Sequence, residues 1–568
     1  MEMQTREIFG ERADSLIEMT LGDLLDRVAE VFPDNDCVNC NDKPFRMTYA
    51  QFRDECNMTA RGLLAMGVDP GSHVAIWATN YPEWIVLMFA TAKIGATLVT
   101  VNTNYKIFEA EYLLNQSDTD TLVMMEGLKD TNYVQIMNEL LPGLKDSAPG
   151  ELSDPGLPRL KRIIYLDKKE NTPAGMFHWS DLKKLAANVS EEERVRVQKS
   201  VSPFDVVNMQ YTSGTTGFPK GVMLTHYNIL NNGKCIGDNQ TLTNRDRVCL
   251  PVPFFHCFGC VLGIMACITH GSCIVPVERY NPVRVMNTIQ AERCTATYGV
   301  PTMYIAMLEH PDFPKYDFSS LRTGIMSGSP CPVKVMEQVV KLMHMSEITI
   351  PYGLTEVSPV CTMTNIYDSI EKRVSTVGRK MPFIEVRCVD PDTNQEVPTG
   401  SQGEVVVRGY SVMKGYYNMP EATALAIDSE GWLHSGDLAN IDSEGYFHIT
   451  GRIKDMIIRG GENIYPKELE EFLYTNPKVQ DVQVIGVPDK NYGEEVCACI
   501  ILKAGETAGE DEMREFIRSH LARHKMPKYI WFMDEFPMTA SGKIQKYKMR
   551  EMAVEALHLG EAAAIETA

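Results

Sequence analysis

The residues with the clearest chemical potential lie in one run of small hydroxyl residues and glycines, Tyr211–Val222. Its candidate anion-binding residues are Thr212, Ser213, Gly214, Thr215, Thr216, Gly217 and Lys220. Glycine and proline interrupt both the helical and the strand period here, and apolar β-rich segments lie on either side, so we predict a loop between two strands. Small hydroxyls and free backbone N–H groups surround an anion without steric obstruction, and Lys220 adds a positive charge. The run therefore predicts a polyphosphate site.

Two other interpretations of this run are weaker. A flexible Ser/Thr/Gly linker has the same composition, but linkers are rarely bracketed by apolar strands. The P-loop of kinases and motor ATPases needs a Gly-Lys-Ser/Thr sequence that opens a helix. Here Pro219 precedes Lys220, Gly221 follows it, and a strand comes next. A P-loop enzyme is therefore disfavoured.

A carboxylate that follows a predicted strand is the next candidate. Glu356 ends the segment Ile350–Glu356, in which a strand is expected to run into Gly353. Ligands of open α/β sheets bind at the carboxyl ends of the strands, and a carboxylate beside polyphosphate commonly holds Mg²⁺. The alternative is a glutamate at a helix N-terminus, stabilised by the helix dipole. From these residues alone, the two interpretations are equally open.

Three further motifs have weaker signals of their own. Ser327–Pro330 follows a predicted strand and is expected to form a strand-to-helix turn at the same sheet edge. Asp437 lies in the turn His434–Asp437, and Arg452 follows the predicted strand Tyr446–Thr450. A carboxylate suits the paired hydroxyls of ribose, and an arginine suits phosphate or ribose oxygens. The alternative is a surface aspartate and a solvated arginine.

Two single residues and one loop carry chemistry only if their surroundings support it. His256 lies inside the aromatic run Pro253–Gly259, where a core histidine with satisfied hydrogen bonds is the more common outcome. Lys543 lies in the segment Pro537–Lys546 near the C-terminus, where an exposed lysine is the ordinary expectation. The glycines of Arg459–Asn463 indicate a loop that requires backbone freedom.

The elements that must position these residues alternate between apolar strands and amphipathic helices. Strands such as His73–Trp77 and Thr121–Met125 are largely apolar along their length, which is typical of parallel sheets covered on both faces. Helices are predicted over residues 21–32 and 48–64, and after Tyr81. The predicted fold class is therefore α/β, with parallel-rich sheets layered with helices.

The length of the chain predicts more than one domain. A chain of 568 residues is too long for a single hydrophobic core. From about Ile384, short strands separated by turns indicate a β-rich subdomain. After Lys454, helices and strands alternate as a small α+β domain. The predicted domains are residues 1–453 and 454–568.

Composition and charge exclude several classes of function. The net charge of -20 disfavours nucleic acid and electrostatic docking on anionic membranes. No window has about 20 uninterrupted apolar residues, so no membrane insertion is expected, and the N-terminus has no apolar core of a signal peptide. The 15 cysteines are scattered, and the pairs Cys37/Cys40 and Cys257/Cys260 lie far apart. This pattern favours reduced thiols in a cytoplasmic protein over a zinc site.

Taken together and in this order, the motifs resemble those of the adenylate-forming superfamily, in particular its acyl-CoA synthetase branch of AMP-binding enzymes. The resemblance covers about residues 20–550 and six separated motifs. It implies a large N-terminal AMP-binding domain and a small mobile C-terminal domain that swings about a hinge at Lys454. It also implies that the enzyme uses ATP, CoA, Mg²⁺ and a small-molecule carboxylic acid. The implied reaction forms acyl-CoA, AMP and diphosphate through an acyl-adenylate.

The resemblance also implies a nucleotide site built from several motifs. The implied ATP or AMP contacts are Thr212, Ser213, Gly214, Thr215, Thr216, Gly217, Lys220, Gly328, Ser329, Pro330, Tyr352, Gly353, Thr355, Asp437 and Arg452. Among them, Asp437 and Arg452 are assigned to the ribose, and the turn at Gly328 to the adenine. Glu356 and Thr212 are implied to hold Mg²⁺.

The implied catalytic residues are Lys543, His256 and Glu356. In the family, the matching lysine reaches the acyl carboxylate and the α-phosphate during adenylation. The matching histidine lies near the carboxylate and helps to open the path of the acceptor thiol. The CoA contacts are assigned to a loop whose glycines let the pantetheine pass close to the backbone: Arg459, Gly460 and Gly461.

The identity of the acid is predicted only by class. Apolar residues that flank the motifs are expected to line its pocket: Phe255, Val261, Val300 and Met303, with Phe254 and Val360 beside them. No charged residue that could bind the amino group of an amino acid is evident among them, which favours fatty or aryl acids over amino acids. The sequences of the motifs most resemble those of synthetases acting on medium-chain or general fatty acids. The alternatives are an aryl or other carboxylate–CoA ligase, a luciferase-type oxidase, a stand-alone adenylation enzyme loading a carrier protein, or an inactive nucleotide-binding paralogue. A monomer or homodimer is expected.

Overall fold

The structure of the protein is a computed structural model that describes residues 2–43, 45–212, 219–328, 331, 333–459, 462–464, 466–489, 492–518, 525–539 and 544–560. It divides into two compact units, Met1–Glu385 with Val407–Leu433, and Val386–Val406 with His434–Ala568. The predicted α/β class with parallel-rich sheets is confirmed. Part of the β-rich subdomain groups with the C-terminal segment here, whereas the sequence placed it with the large domain. The boundary at residues 453 and 454 stays a prediction.

One sheet of the first unit has seven strands, and all neighbouring pairs are parallel except the pair at one edge. In spatial order its strands are Glu347–Thr349, Thr323–Met326, Ala296–Gly299, Arg247–Leu250, Cys273–Pro276, Asp36–Cys40 and Phe45–Thr48. The inner strands are buried almost without interruption, as expected for a sheet covered on both faces. The parallel arrangement gathers the carboxyl ends of several strands, and the segments that follow them, along one edge.

The second sheet of this unit has eight strands. In spatial order they are Gly415–Tyr416, Lys220–Thr225, Val206–Thr212, Thr97–Thr100, His73–Trp77, Thr121–Met124, Arg162–Tyr165 and Phe177–His178. Val206–Thr212 pairs antiparallel with Lys220–Thr225 and parallel with Thr97–Thr100. The predicted arrangement of strand, loop and strand around the hydroxyl-rich run is therefore present as a hairpin.

Helices flank these sheets, and their starts follow local sequence signals. The described helices of the first unit are Glu2–Phe9, Leu21–Val31, Tyr49–Ala65, Pro82–Lys93, Ile107–Gln116, Tyr133–Leu140, Asp181–Leu185, Glu191–Gln198, His226–Asn239, Ala266–Ile268, Pro282–Glu292, Pro301–Leu308, Val333–Leu342, Ile370–Ser375 and Pro420–Ala426, with a π-helix at Phe258–Met265. Thr48 closes a capping box with Gln51, in which each side chain accepts a backbone N–H from the other residue. The predicted helix that begins after Thr48 is thereby confirmed.

The strand predicted to run towards Glu356 is interrupted. The parallel strand ends at Thr349, and Pro351–Gly353 instead pairs antiparallel with Val360–Met363, which in turn pairs with Arg379–Lys380. Proline has no N–H to donate to a continuing ladder, so the change of sheet at Pro351 has a local cause. The predicted strand that runs into Gly353 is therefore present, but as a separate antiparallel segment and not as part of the parallel sheet. Glu356 lies in the turn of this antiparallel pair, after the carboxyl end of the parallel strand.

The apolar segment after His256 is helical, but it is not one α-helix. Its first part is the π-helix Phe258–Met265, and only Ala266–Ile268 is α-helical. At the start of this π-helix the backbone of Gly259 lies so close to Pro253 that a Cβ on Gly259 would collide with the carbonyl oxygen of Pro253. π-Helical segments are frequently found at functional sites.

The second unit contains two antiparallel-rich sheets and three described helices. Most of one sheet belongs to it, with the spatial order Ile384–Val389, Gly403–Gly409, Leu433–Ile441 and Phe447–Arg452. The other sheet contains Glu462–Ile464, Ile457–Arg459, Gly493–Leu502 and Val479–Asp489, with Tyr529–Phe532 paired parallel to Gly493–Leu502. The helices are Pro466–Leu473, Glu510–Arg518 and Lys546–Ala556. Fully buried Ile457, Leu469, Val482 and Ile500 contribute to its core.

Candidate active site

The hairpin that carries the hydroxyl-rich run holds both ends of the predicted phosphate loop. Thr212 and Lys220 are directly opposed across the antiparallel pair. The Tyr211 hydroxyl donates to the Gln116 side chain, and the Tyr112 hydroxyl donates to the carbonyl of Pro219 over 3.1 Å. These bonds fix the two arms from which the loop departs. Ser213, Gly214, Thr215, Thr216 and Gly217 lie outside the described residues.

Tyr416 connects the lysine of this hairpin to the predicted metal-binding carboxylate. Its hydroxyl donates to Oε1 of Glu356 over 2.8 Å, and Lys220 Nζ lies 4.8 Å from the centre of its ring. The strand that contains Tyr416 pairs with Lys220–Thr225, opposing Tyr416 to Val222. Burial raises the pKa of the Tyr416 hydroxyl, and the neighbouring carboxylate raises it further, so the hydroxyl keeps its proton and donates at neutral pH. The sequence prediction missed Tyr416.

Glu356 fits a role in holding a metal ion that arrives with a polyphosphate. The residue is half-buried, its carbonyl accepts from Met413 N over 2.9 Å, and its carboxylate has Tyr416 on one oxygen. In the part of the chain that the structure describes, no three His, Cys, Asp or Glu side chains form a group suited to a metal ion. Mg²⁺ is commonly bound through one or two carboxylates together with substrate phosphates and water, so a single protein carboxylate fits it.

The turn that carries His256 lies beside the turn that carries Glu356. Cys257 Sγ is 3.7 Å from Thr355 Oγ1 and 3.6 Å from His256 Nδ1. The backbone N–H of Phe258 donates to His256 Nδ1 over 3.1 Å. When the imidazole is neutral, this bond places its proton on Nε2. The structure thus brings two predicted catalytic residues, 100 positions apart in sequence, into neighbouring turns.

The predicted adenine turn adjoins the same region. Ser327 Oγ donates to the carbonyl of Pro351 over 2.9 Å, which ties this turn to the strand that contains Tyr352 and Gly353. Gly328 has φ +94°, and a Cβ there would lie 3.0 Å from Val300 Cγ1. Both the backbone conformation and the close neighbour therefore favour glycine at this position. Ser329 and Pro330 lie outside the described residues.

Gly353 is a second position where the site leaves no room for a side chain. A Cβ there would collide with the carbonyl oxygen of Pro359, on the other arm of the turn around Glu356. The two arms therefore approach each other closely, with Thr355 and Glu356 between them. This close approach keeps the glutamate turn compact.

The residues predicted to line the acid pocket are buried to different degrees. Val261 is fully buried, Val300 and Phe255 are almost fully buried, and Met303 is half-buried. The carbonyl of Met303 accepts from the Tyr280 hydroxyl over 2.7 Å, which fixes the start of the helix Pro301–Leu308. Their contact with an acyl group stays a prediction.

In the second unit, the predicted ribose-binding residues form a pair. Asp437 and Arg452 are opposed across an antiparallel pair of strands, and Arg452 Nε donates to Asp437 Oδ1 over 2.8 Å. The aspartate is 6% exposed, whereas the arginine side chain is 58% exposed. A buried, paired aspartate argues against the alternative of a solvated surface residue. The hydrogen bond from Arg452 orients the carboxylate.

A buried glutamate that the sequence prediction missed fixes the turn before Asp437. Glu404 accepts from the backbone N–H of Gly436 over 2.9 Å, and its other oxygen lies 2.8 Å from His434 Nδ1. Glu404 is 6% exposed and Gly436 has φ +71°. A carboxylate next to the apolar residues 405–407 of the strand Gly403–Gly409 was the available signal, since buried carboxylates require partners.

Replacing Asp437 with asparagine is expected to weaken ATP binding. The substitution keeps the size of the side chain but removes the charge that pairs with Arg452 and is predicted to bind the ribose hydroxyls. A hydrogen bond to a charged group contributes about 1.5–3 kcal/mol, so the KM for ATP should rise roughly 10- to 100-fold. Steady-state kinetics with varied ATP measure this, with Asp392→Asn at an exposed position of the same unit as the control. An unchanged KM for ATP would remove Asp437 from the nucleotide site.

The predicted CoA and hinge residues are only partly described. Arg459 forms a two-point contact with the buried carboxylate of Glu495, with Nη2 to Oε1 at 3.0 Å and Nε to Oε2 at 2.9 Å. Gly460 and Gly461 lie outside the described residues, between the paired strands Ile457–Arg459 and Glu462–Ile464. Lys454 lies in the 3₁₀ turn Ile453–Asp455. The roles of all four residues stay predictions.

Lys543 also lies outside the described residues, but the chain on both sides of it is described. Met538 and Ile544 form an antiparallel bridge, and the N–H of Gln545 donates to the carbonyl of Pro537 over 2.8 Å. The described residues on either side of Lys543 are therefore held next to each other, just before the helix Lys546–Ala556.

Over the described residues, no helix is long and apolar enough to cross a membrane.

Comparisons with known proteins bear on both units. The profile of the AMP-binding enzyme family matches residues 25–417, and the profile of the AMP-binding enzyme C-terminal domain matches residues 468–543. The chain is 54% identical over 544 residues to a putative acyl-CoA synthetase of Bacillus subtilis, YngI, covering 96% of this chain and 99% of that protein. It is 40% identical over 562 residues to the mitochondrial medium-chain acyl-CoA ligase ACSF2 of Danio rerio, covering 98% and 92%.

A solved structure of similar fold matches most of the chain. The anthranilate CoA ligase AuaEII, in complex with anthranoyl-AMP, superimposes with a TM-score of 0.82 at 26% sequence identity. The match covers 96% of this chain and 100% of that one. The similarity therefore extends over both units of the chain.

Proposed function

The chain belongs to the AMP-binding enzyme family, and we propose that it is an ATP-dependent acyl-CoA synthetase. It joins a carboxylic acid to CoA in two steps. The first step forms an acyl-adenylate and diphosphate from the acid and ATP. The second step forms the acyl-CoA thioester and releases AMP. The names of the similar proteins, a putative acyl-CoA synthetase and a medium-chain acyl-CoA ligase, support this reaction.

The observation that carries the proposal is the contact path from Lys220 through Tyr416 to Glu356. It places a cation over the ring of Tyr416 and a carboxylate at the hydroxyl of the same residue, next to the arms of the predicted phosphate loop. A diphosphate leaving group needs positive charge from the protein and from a metal ion, and the metal ion needs a carboxylate. Mg²⁺ bound at Glu356 would supply Lewis-acid stabilisation of the phosphate oxygens.

In the first step, a carboxylate oxygen of the acid forms a bond to the α-phosphorus of ATP. The bond from that phosphorus to the bridging oxygen breaks, and diphosphate leaves with the electron pair. Lys220 and the backbone N–H groups of its loop offset the charge on the leaving group. We assign Lys543 to the acyl carboxylate and the α-phosphate, where negative charge accumulates.

In the second step, the CoA thiolate attacks the acyl carbon of the adenylate. The acyl–oxygen bond to AMP breaks, so AMP leaves with the electron pair and a thioester remains. We assign His256 to the path of this thiol. Its imidazole lies beside Cys257, which also contacts Thr355. Arg459, Gly460 and Gly461 are assigned to CoA.

We propose fatty acids of medium chain length as the preferred acids. Apolar Phe255, Val261, Val300 and Met303 flank the site residues, and the relative from Danio rerio is named a medium-chain acyl-CoA ligase. An aryl acid is the second candidate, because the structurally similar AuaEII is an anthranilate CoA ligase.

The fifteen free cysteines fit a reducing compartment, and we propose that the protein is located in the cytoplasm.

A series of acids from acetate to palmitate, with benzoate and anthranilate included, tests this preference. We expect kcat/KM to be highest for medium-chain acids, because each buried CH₂ contributes about 0.8 kcal/mol until the pocket is filled. CoA-dependent release of AMP measures the rate for each acid. A maximum at acetate, benzoate or anthranilate would contradict the proposed class while leaving the ligase reaction itself in place.

A further inference from the structure

One buried amide joins the two large sheets of the first unit. Asn80 follows the strand His73–Trp77 of the eight-stranded sheet and is 3% exposed. Its Nδ2 donates to the carbonyls of Val252 over 2.9 Å and Val277 over 3.1 Å, with the carbonyl of Leu250 at 3.4 Å. These carbonyls lie at or just beyond the ends of two parallel strands in the seven-stranded sheet.

The remaining polar groups of Asn80 are also engaged. Its Oδ1 accepts from the backbone N–H of Phe254 over 2.9 Å, and its own N–H donates to the carbonyl of Glu278 over 3.2 Å. The amide nitrogen and the amide oxygen of Asn80 therefore both have backbone partners. Buried polar groups that are hydrogen-bonded in this way hold one arrangement of the chain. Asn80 therefore holds the backbone of the segment that leads to His256.

Contacts around Phe254 place this fixed point close to the imidazole. The N–H of His256 donates to the carbonyl of Pro253 over 3.3 Å, and the ring of Phe254 packs against the ring of Trp84 with centroids 5.7 Å apart. Trp84 is in the helix that begins two residues after Asn80. The segment after the strand His73–Trp77 thus contacts the turn Pro253–Phe258 in two ways, through the hydrogen bonds of Asn80 and through the apolar ring of Trp84.

We propose that Asn80 is a positioning residue for His256. Its amide fixes the backbone at Phe254, and this fixed backbone sets where the imidazole lies relative to Thr355 and Glu356. The effect on catalysis rests on the proposed function, because it concerns the step in which the CoA thiol reaches the adenylate. The effect on the position of the imidazole does not depend on that function.

The competing explanation is that Asn80 only joins two sheets. In that case its removal lowers stability and slows every step alike, whatever residue stands at position 256. Asn231 provides a matched control, since it is also buried and its side chain makes two hydrogen bonds to the backbone of Ile17. Asn231→Ala removes a comparable buried anchor from a different part of the unit.

The imidazole resonances of histidine-labelled protein test the positioning directly. The His256 signal is assigned by its loss in His256→Gln. We expect Asn80→Ala to shift this signal and its titration midpoint, whereas Asn231→Ala leaves both unchanged. Asn80→Ser, which retains one donor and one acceptor, should give an intermediate shift and covers the case in which Asn80→Ala does not fold. An unchanged His256 signal in a folded Asn80 variant overturns the proposal, whatever reaction the protein catalyses.

A double-mutant cycle tests the consequence for catalysis. Thioester formation is measured from synthetic acyl-adenylate and CoA. A displacement of about 1 Å at a reacting group costs on the order of 100-fold, so we expect Asn80→Ala to slow this step at least tenfold when His256 is present. In the His256→Ala background the same change should cost less than about twofold. Equal losses in both backgrounds would assign Asn80 to sheet joining alone. A wild-type protein that forms no thioester would instead reject the proposed function, with the resonance test still deciding the positioning.

Discussion

Replacing Lys543 with alanine is expected to reduce acyl-adenylate formation about 10²- to 10³-fold, while thioester formation from synthetic acyl-adenylate stays within about threefold of wild type. The reason is that the proposed role of Lys543 belongs to the first step alone. There its charge offsets the negative charge that crowds around the carboxylate and the α-phosphate. The exchange of labelled diphosphate into ATP measures the first step, and acyl-CoA formation from added adenylate measures the second.

Lys548→Ala is the matched control for this experiment, since Lys548 is an exposed lysine of the helix that follows the Lys543 segment. It should leave both steps unchanged. Equal loss of the two steps in Lys543→Ala would contradict the assigned role. A loss confined to the second step would contradict it as well.

Replacing Glu356 with glutamine is expected to slow the first step about 100-fold and to raise the Mg²⁺ concentration needed for half-maximal activity. Glutamine keeps the shape of the side chain and an oxygen that accepts from Tyr416, so the substitution isolates the charge. A neutral amide oxygen is a weaker ligand for Mg²⁺ than a carboxylate. Diphosphate exchange at varied Mg²⁺ measures the rate, and titration with Mn²⁺ and ATP followed by electron paramagnetic resonance measures metal binding.

Tyr416→Phe is the informative companion to Glu356→Gln. It keeps the carboxylate and the ring beneath Lys220 but removes the hydrogen bond to Glu356. A hydrogen bond to a charged group contributes about 1.5–3 kcal/mol, so a loss of roughly tenfold or more is expected, smaller than the loss in Glu356→Gln. If Glu356→Gln retained the wild-type rate and Mg²⁺ dependence, the metal-binding role of Glu356 would be wrong.

Local patterns predicted the parts of the fold that depend on neighbouring residues. The capping box at Thr48, the helix after Tyr81 and the buried strand His73–Trp77 have sequence signals within a few positions. The break at Pro351 and the π-helix Phe258–Met265 were missed. An apolar run has the same appearance in an α-helix and a π-helix. Pro351 is a local signal for the end of the parallel strand, but the antiparallel partner of the segment after it, Val360–Met363, lies later in the chain.

In the candidate site, too, residues with local sequence signals were predicted and residues that depend on distant contacts were not. Motifs identified residues such as Glu356 and Asp437, because their chemical types and spacing are local. They did not identify Tyr416 or Asn80, whose importance comes from contacts over long sequence separations. Tyr416 lies 60 positions from Glu356, and Asn80 lies 174 positions from Phe254. Only the folded chain brings these pairs together.

The balance of products tests whether the protein is an ATP-dependent acyl-CoA synthetase. The protein is incubated with ATP, Mg²⁺, CoA and a medium-chain fatty acid, and the nucleotides, diphosphate and thioester are quantified together. We predict equal amounts of AMP, diphosphate and acyl-CoA, all dependent on the acid, and only a stoichiometric burst of diphosphate when CoA is omitted. ADP with phosphate as products, sustained acid-dependent diphosphate release without a thioester, or no turnover of ATP in the presence of any acid of the series would contradict it.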